Sequence, residues 1–132
     1  MTDQSEQSKK KVLVADDEPS ILYSVRRVLG NDYVVIEANN GKAAVNLAQS
    51  HKPDIILLDI MMPEKDGLTA CAEIKASKAT QAIPIVMLSG VGHELNKELA
   101  KSMGASGYIT KPFSPNELKT IVLEALKQAG ND

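Results

Sequence analysis

Three aspartates, a serine and a lysine stand where short apolar runs end. Asp16 and Asp17 follow Val12–Ala15, Asp59 follows Ile55–Leu58, Ser89 follows Ile85–Leu88, and Lys111 comes shortly after Gly107–Ile109. Carboxylates packed within a few Å repel one another by about 1 kcal/mol per pair in water, and by more where water is scarce. A divalent cation removes that cost. Two carboxylates completed by carbonyl and water oxygens suit Mg²⁺, which keeps waters and favours substrate phosphate. A carboxylate held beside such an ion can attack phosphorus and become an acyl phosphate. A lysine opposite it screens the added negative charge as a point charge, and a serine hydroxyl can donate to a phosphoryl oxygen. Phosphoryl transfer rests mainly on positioning and electrostatics, so these few groups would suffice. Singly, each has an ordinary alternative: a helix cap, a turn, a surface lysine. Their order at successive run ends gives the set its weight.

Positioning them requires a scaffold that brings all these run ends to one edge. Strands are expected at Val12–Ala15, Tyr33–Glu37, Ile55–Leu58, Ile85–Leu88 and Gly107–Ile109. Three of these are unbroken apolar runs, the pattern of strands buried on both faces, whereas the Tyr33 and Gly107 runs are shorter or more mixed, as edge strands are. Helix patterns lie between them. Ile21, Leu22, Val25, Val28 and Leu29 form one apolar stripe, with Pro19 suited to the first turn and Gly30 to the stop. Further helices are expected over about 41–50 with Asn40 as cap, over 67–76 after an Asp66-Gly67 turn, and over about 92–103. A fifth opens on Ser114-Pro115-Asn116-Glu117, a capping box. Alternating β and α units imply a parallel sheet with helices on both faces. Ligands of such sheets bind beyond the carboxyl ends of the strands.

Composition narrows the classes. The 132 residues suffice for one domain, expected over residues 11–129, with tails at 1–10 and 130–132. Apolar residues at 43% and charged residues at 24% describe a globular chain, not a disordered one. Lys plus Arg total 15 against 17 Asp plus Glu, which argues against nucleic-acid binding through bulk charge. Four aromatics (Tyr23, Tyr33, Tyr108, Phe113) are too few for base stacking. Cys71 has no disulfide partner, and with only two histidines a zinc constellation is not expected. No apolar run approaches a membrane span and no secretory signal is visible, so a cytoplasmic protein is expected.

The constellation Asp16-Asp17, Asp59 within LLDIMMP, Ser89 within VMLSG and Lys111-Pro112 within YITKPF resembles the receiver domain of bacterial response regulators, the CheY-like family, over about residues 10–128. The resemblance implies a (βα)₅ flavodoxin-like three-layer sandwich whose five-stranded parallel sheet has the order 2-1-3-4-5. It also implies roles. Asp59 is the phosphoacceptor. Asp17 and Asp59 ligate Mg²⁺ directly, Asp16 mostly through water, and the Met61 backbone carbonyl adds a ligand. Lys111 pairs with Asp59 and then with the phosphoryl oxygens. Ser89 closes on the phosphoryl group, Tyr108 is the switch aromatic, and the Lys111–Pro112 bond is cis.

The expected function is that of a single-domain response regulator. A sensor histidine kinase or histidine phosphotransfer protein would phosphorylate Asp59. A downstream protein effector would dock on the fourth helix, fifth strand and fifth helix, with neither nucleic acid nor membrane as a direct partner. The chain would be a monomer or a phosphorylation-dependent dimer, and no enzyme beyond its own phosphoryl transfer and slow autodephosphorylation. Met61 and Val91 match the positions that tune this hydrolysis in the family; both are apolar, which implies a long-lived phosphoryl group. No output domain is expected after the fifth helix, although a receiver fragment of a larger regulator or an adaptor working without phosphorylation are alternatives. A flavodoxin-type FMN carrier fits less well, since DDEPS after the first strand would repel phosphate without a metal. A Mg²⁺-dependent phosphatase would need a cap domain for substrate choice, and none is evident.

Overall fold

The computed structural model describes residues 9–90, 98–99 and 101–130. Five parallel strands, β1 (Lys11–Ala15), β2 (Val34–Ala38), β3 (Ile55–Asp59), β4 (Ile85–Ser89) and β5 (Gly107–Thr110), form one sheet in the order β2-β1-β3-β4-β5. The expected order and parallel pairing are thus observed, with β2 and β5 at the edges. Four helices are bounded among the described residues: α1 (Pro19–Leu29), α2 (Gly41–His51), α3 (Gly67–Ala76) and α4 (Pro115–Gln128). Of the helix expected over 92–103, Glu98, Leu99, Lys101 and Ser102 are helical, while residues 91–97 and 100, with Val91, lie outside the described residues.

Alternation along the strands builds two cores at once. Val12 and Val14, Ile55 and Leu57, Val86 and Leu88 point to the face covered by α1 and α4. Leu13 and Ala15, Ile56 and Leu58, Ile85 and Met87 point to the face covered by α2 and α3. Successive strand residues face opposite sides, so a strand buried on both faces must be apolar throughout. That is why β1, β3 and β4 read as unbroken runs. Cys71 is wholly buried in the second core as small apolar filler.

Local signals decide the helix starts. Pro19 occupies the first turn of α1. The Asn40 side chain accepts from the Ala43 N–H at 2.7 Å and caps α2. Asp66 accepts from the Thr69 N–H at 2.8 Å and caps α3. The Ser114 hydroxyl accepts from the Glu117 N–H at 3.1 Å, and the Glu117 carboxylate accepts from the Ser114 N–H at 2.7 Å, completing the expected capping box. Gly30 ends α1 in a right-handed conformation, so its service there is not conformational freedom.

The strand ends differ slightly from expectation. Asp59 and Ser89 are the last residues of β3 and β4, not the first beyond them. The ladder carries on past the apolar run because Asp59 pairs with Leu88 and Ser89 with Thr110. It extends further still: the Ile60 N–H donates to Leu88 O at 3.1 Å, the Lys111 N–H to Ser89 O at 2.6 Å, and the Gly67 N–H to Ile60 O at 2.7 Å. The backbones of Asp59 and Lys111 are therefore fixed by sheet hydrogen bonds. The last of these bonds draws α3 against the end of β3 so closely that a Cβ on Gly67 would lie 1.9 Å from the Asp59 carbonyl oxygen. Gly67→Ala is expected to cost about 1–3 kcal/mol, since the obstacle is backbone and cannot yield as a side chain would. Urea denaturation against wild type measures it.

Candidate functional site

The carboxyl edge of the sheet collects the acids. Asp16 follows β1 directly, and its N–H donates to Ala38 O of β2 at 3.1 Å, which holds the turn to the sheet. Its side chain is wholly buried. Asp59 ends the neighbouring strand and is also buried, whereas Asp17 is exposed. One carboxylate oxygen from each of Asp16, Asp17 and Asp59 lies within 4.8 Å of the other two. These three acids are thus brought together as the sequence suggested. Asp17 and Asp59 line, with Glu18, Met61, Gly90, Lys111 and Pro112, an open cleft at this edge.

One cation faces them. Lys111 Nζ lies 2.9 Å from Asp16 Oδ2, 2.8 Å from Glu18 Oε1 and 3.4 Å from Asp59 Oδ1. The expected Lys111–Asp59 pair exists, but it is the longest of the three. Asp16 is further held through Oδ1, which accepts from the Glu18 N–H at 2.9 Å. The Lys111–Pro112 peptide bond is cis, as the resemblance implied.

Charge balance sets the protonation. Burial, followed by the negative charge of Asp16, pushes the Asp59 carboxyl up to about 6, although Lys111 and the Met61 N–H pull it back. Burial also raises Asp16, against the Glu18 N–H and Lys111, which favour its charged form. For Lys111 burial alone would lower the ammonium's pKa. Hydrogen bonds to Glu18 and Asp16, with the charges of Asp16 and Asp59, outweigh burial and hold it above the ordinary lysine value.

The remaining expected residues are placed as follows. Ser89 is buried, and its hydroxyl donates to its neighbour's carbonyl, Gly90 O, at 3.4 Å. Met61 is 74% exposed, and its backbone N–H favours the charged form of the Asp59 carboxyl. Tyr108 is half-buried against the core on the α2–α3 face and lines a cavity of about 640 Å³ beside α4. Glu18 is a partner of Lys111 that the sequence places at this edge but to which it assigns no role. Its signal was present as a third consecutive acid directly before Pro19, but nothing in the sequence tells which way a loop carboxylate turns.

A scan against family models matches residues 12–123 to the response regulator receiver domain. The chain belongs to the response regulator receiver family. Among relatives, the chain is 40% identical over 124 residues to the alkaline phosphatase synthesis transcriptional regulatory protein PhoP of Bacillus subtilis, covering 91% of this chain and 50% of PhoP. The chain thus spans about half the length of the curated relatives it matches. Among solved structures, the chemotaxis protein CheY4 of Vibrio cholerae superposes with a TM-score of 0.84 at 30% identity, covering 89% of this chain and 99% of CheY4. The receiver domain of the sensor histidine kinase PA1611 of Pseudomonas aeruginosa, described with a magnesium ion coordinated in its active-site cleft, superposes with a TM-score of 0.84 at 27% identity, covering 91% and 99%. Receiver domains serve as phosphoacceptors in two-component signalling, and phosphorylation with control of a partner is general to the family.

The receiver's acids impose a pH dependence. Asp59 is raised above its unfolded value, so between about pH 4 and 6 the folded state binds more protons than the unfolded one, and stability falls as pH rises through that window. Asp59→Asn removes this penalty. The metal-free variant is expected to be about 1–2 kcal/mol more stable than wild type at pH 7.5. The gain should shrink as pH falls through that window and approach zero only near about pH 3.5, where Asp59 is protonated in both the folded and the unfolded states. Chemical denaturation at the two pH values tests this.

Proposed function

We propose that Asp59 accepts a phosphoryl group from a sensor histidine kinase or a histidine phosphotransfer protein, and that the modification controls a protein partner. The observation that carries this reading is the meeting of Asp16, Asp17 and Asp59 at one sheet edge opposite Lys111. The donor set fits Mg²⁺: hard oxygens only, without histidine or cysteine, and grouped within reach of one small ion. Asp17 and Asp59 would hold it directly, Asp16 mostly through water because both its oxygens already have protein partners, and the Met61 carbonyl would complete the protein's share. Mg²⁺ bound there neutralises charge on the transferring group.

The chain's own atoms do the rest. An Asp59 carboxylate oxygen attacks phosphorus. As that O–P bond forms, the P–N bond to the donor imidazole breaks, and the nitrogen keeps the electron pair and takes up a proton. Lys111 Nζ compensates the charge left on the phosphoryl oxygens. The Ser89 hydroxyl exchanges its long bond to Gly90 O for a phosphoryl oxygen, and Tyr108 follows it inward. A population of two pre-existing conformations would then shift. The cavity beside Tyr108, Thr110, Asn116 and Thr120 lies where β5 meets α4, the face proposed to read the switch. On this reading the protein is cytoplasmic, acts without direct nucleic-acid contact, and is a monomer or a phosphorylation-dependent dimer. Among the described residues no helix is long and apolar enough to cross a membrane.

The test is incubation with Mg²⁺ and acetyl phosphate, followed by intact-mass spectrometry. One labile phosphoryl adduct is expected, absent in Asp59→Asn and absent without Mg²⁺. Folded, Mg²⁺-binding protein that stays unmodified would instead support an adaptor acting without phosphorylation. The lifetime of the adduct is a separate expectation. Met61 offers an attacking water no hydrogen-bonding side chain, so hydrolysis should be slow. Met61→Asn should shorten the half-life severalfold in a phosphatase-free decay assay.

A further inference from the structure

We propose that the Glu18 carboxylate is a placeholder for the phosphoryl group: it occupies the Lys111 ammonium in the unmodified protein and gives it up when Asp59 is phosphorylated. The inference rests on the phosphoacceptor reading above and goes one residue beyond it.

Two independent observations carry it. The first is distance. Lys111 Nζ sits 2.8 Å from Glu18 Oε1 but 3.4 Å from Asp59 Oδ1, so the lysine is drawn away from the acceptor. The second is a cap left unmade. Glu18 stands at the N-cap of α1, yet its side chain makes no capping hydrogen bond. Asp, Asn, Ser and Thr are the side chains suited to that task. Here the helix start is left to Pro19 and to backbone bonds from Ile21 and Leu22 to Glu18 O, and the carboxylate is turned across the cleft to the lysine.

The three acids around Lys111 are not equivalent partners. Asp16 is buried and tied to the backbone through its other oxygen, so it cannot withdraw. Glu18 is mostly exposed, with 57% of its side chain open to solvent. Its carboxylate recovers hydration on release, which makes it the partner that yields. A phosphoryl group on Asp59 offers Lys111 more charge at closer quarters. Glu18 therefore weighs against forming the acyl phosphate, during which Lys111 must be recruited, and has little weight in its hydrolysis, during which Lys111 is already committed. Glu18 is in this sense a positioning residue acting through Lys111.

Glu18→Asp separates the pair from the charge. Aspartate keeps the negative charge at this position but is one methylene shorter, and it is a favoured N-cap. It should cap α1 and release Lys111. Glu18→Gln removes the charge and keeps the length. With Mg²⁺ and acetyl phosphate, the P–O bond to acetate breaks as the Asp59 O–P bond forms and acetate leaves as the anion. Both variants are expected to be phosphorylated about two- to fivefold faster than wild type, the span that a solvent-exposed ion pair supplies. Their phosphoryl decay rates should stay within about twofold of wild type. In the metal-free protein, the ¹⁵N signal of the Lys111 ammonium should shift in both variants. If Glu18→Gln is faster but Glu18→Asp matches wild type, cleft charge alone is responsible and the inference falls. Unchanged rates in both variants, or an unshifted Lys111 signal, also overturn it. Absence of label in wild type overturns the phosphoacceptor reading itself, and this inference with it.

Discussion

The site is organised around one ammonium group shared by three carboxylates. Lys111 touches Asp16, Glu18 and Asp59, and Asp17 adds a fourth acid at the same edge. One positive charge cannot balance that set. The surplus is concentrated where burial makes it costly, as the rise of Asp59 to about 6 records. A pocket in this condition favours an added cation. On the proposed function, a metal requirement and tolerance of an incoming phosphoryl group would both follow from the same imbalance.

Such an imbalance persists only on a stiff support. β1 and β3 are buried on both faces, so the acids at their ends cannot retreat from each other without opening two cores. The ladder extends past the strands through Ile60 and Lys111, and α3 is pressed against the Asp59 backbone at Gly67. The repulsion is therefore met by the packing of the whole sheet. No buried side-chain nitrogen or oxygen among the described residues lacks a hydrogen-bond partner, so the price of the site is carried by charge and not by unsatisfied polar atoms.

Local rules are broken where function is concentrated. At the starts of α2, α3 and α4, side chains cap the helices as expected. At α1 the residue in the capping place is turned towards Lys111 instead. Consistency across levels is the ordinary condition of a folded sequence, and departures from it mark the site.

The strands, the capping signals and the acids at the run ends were legible in the sequence because each depends on neighbours a few residues away. Unbroken apolar runs at β1, β3 and β4 report burial on both faces, and Ser114 with Glu117 reports its own cap. Strand order entered through family resemblance, since periodicity gives elements and not their adjacency. The extension of β3 to Asp59 and β4 to Ser89 was missed because it depends on cross-strand partners. The allocation of Lys111 among Asp16, Glu18 and Asp59 belongs to tertiary structure alone. Residues 93 to 95 positions apart meet there, and a few tenths of an Å decide which pair is closer. Sequence determines which charges the chain carries and where its strands end; only the packed sheet decides how those charges share one lysine, because Coulomb energy depends on distance in space and not along the chain.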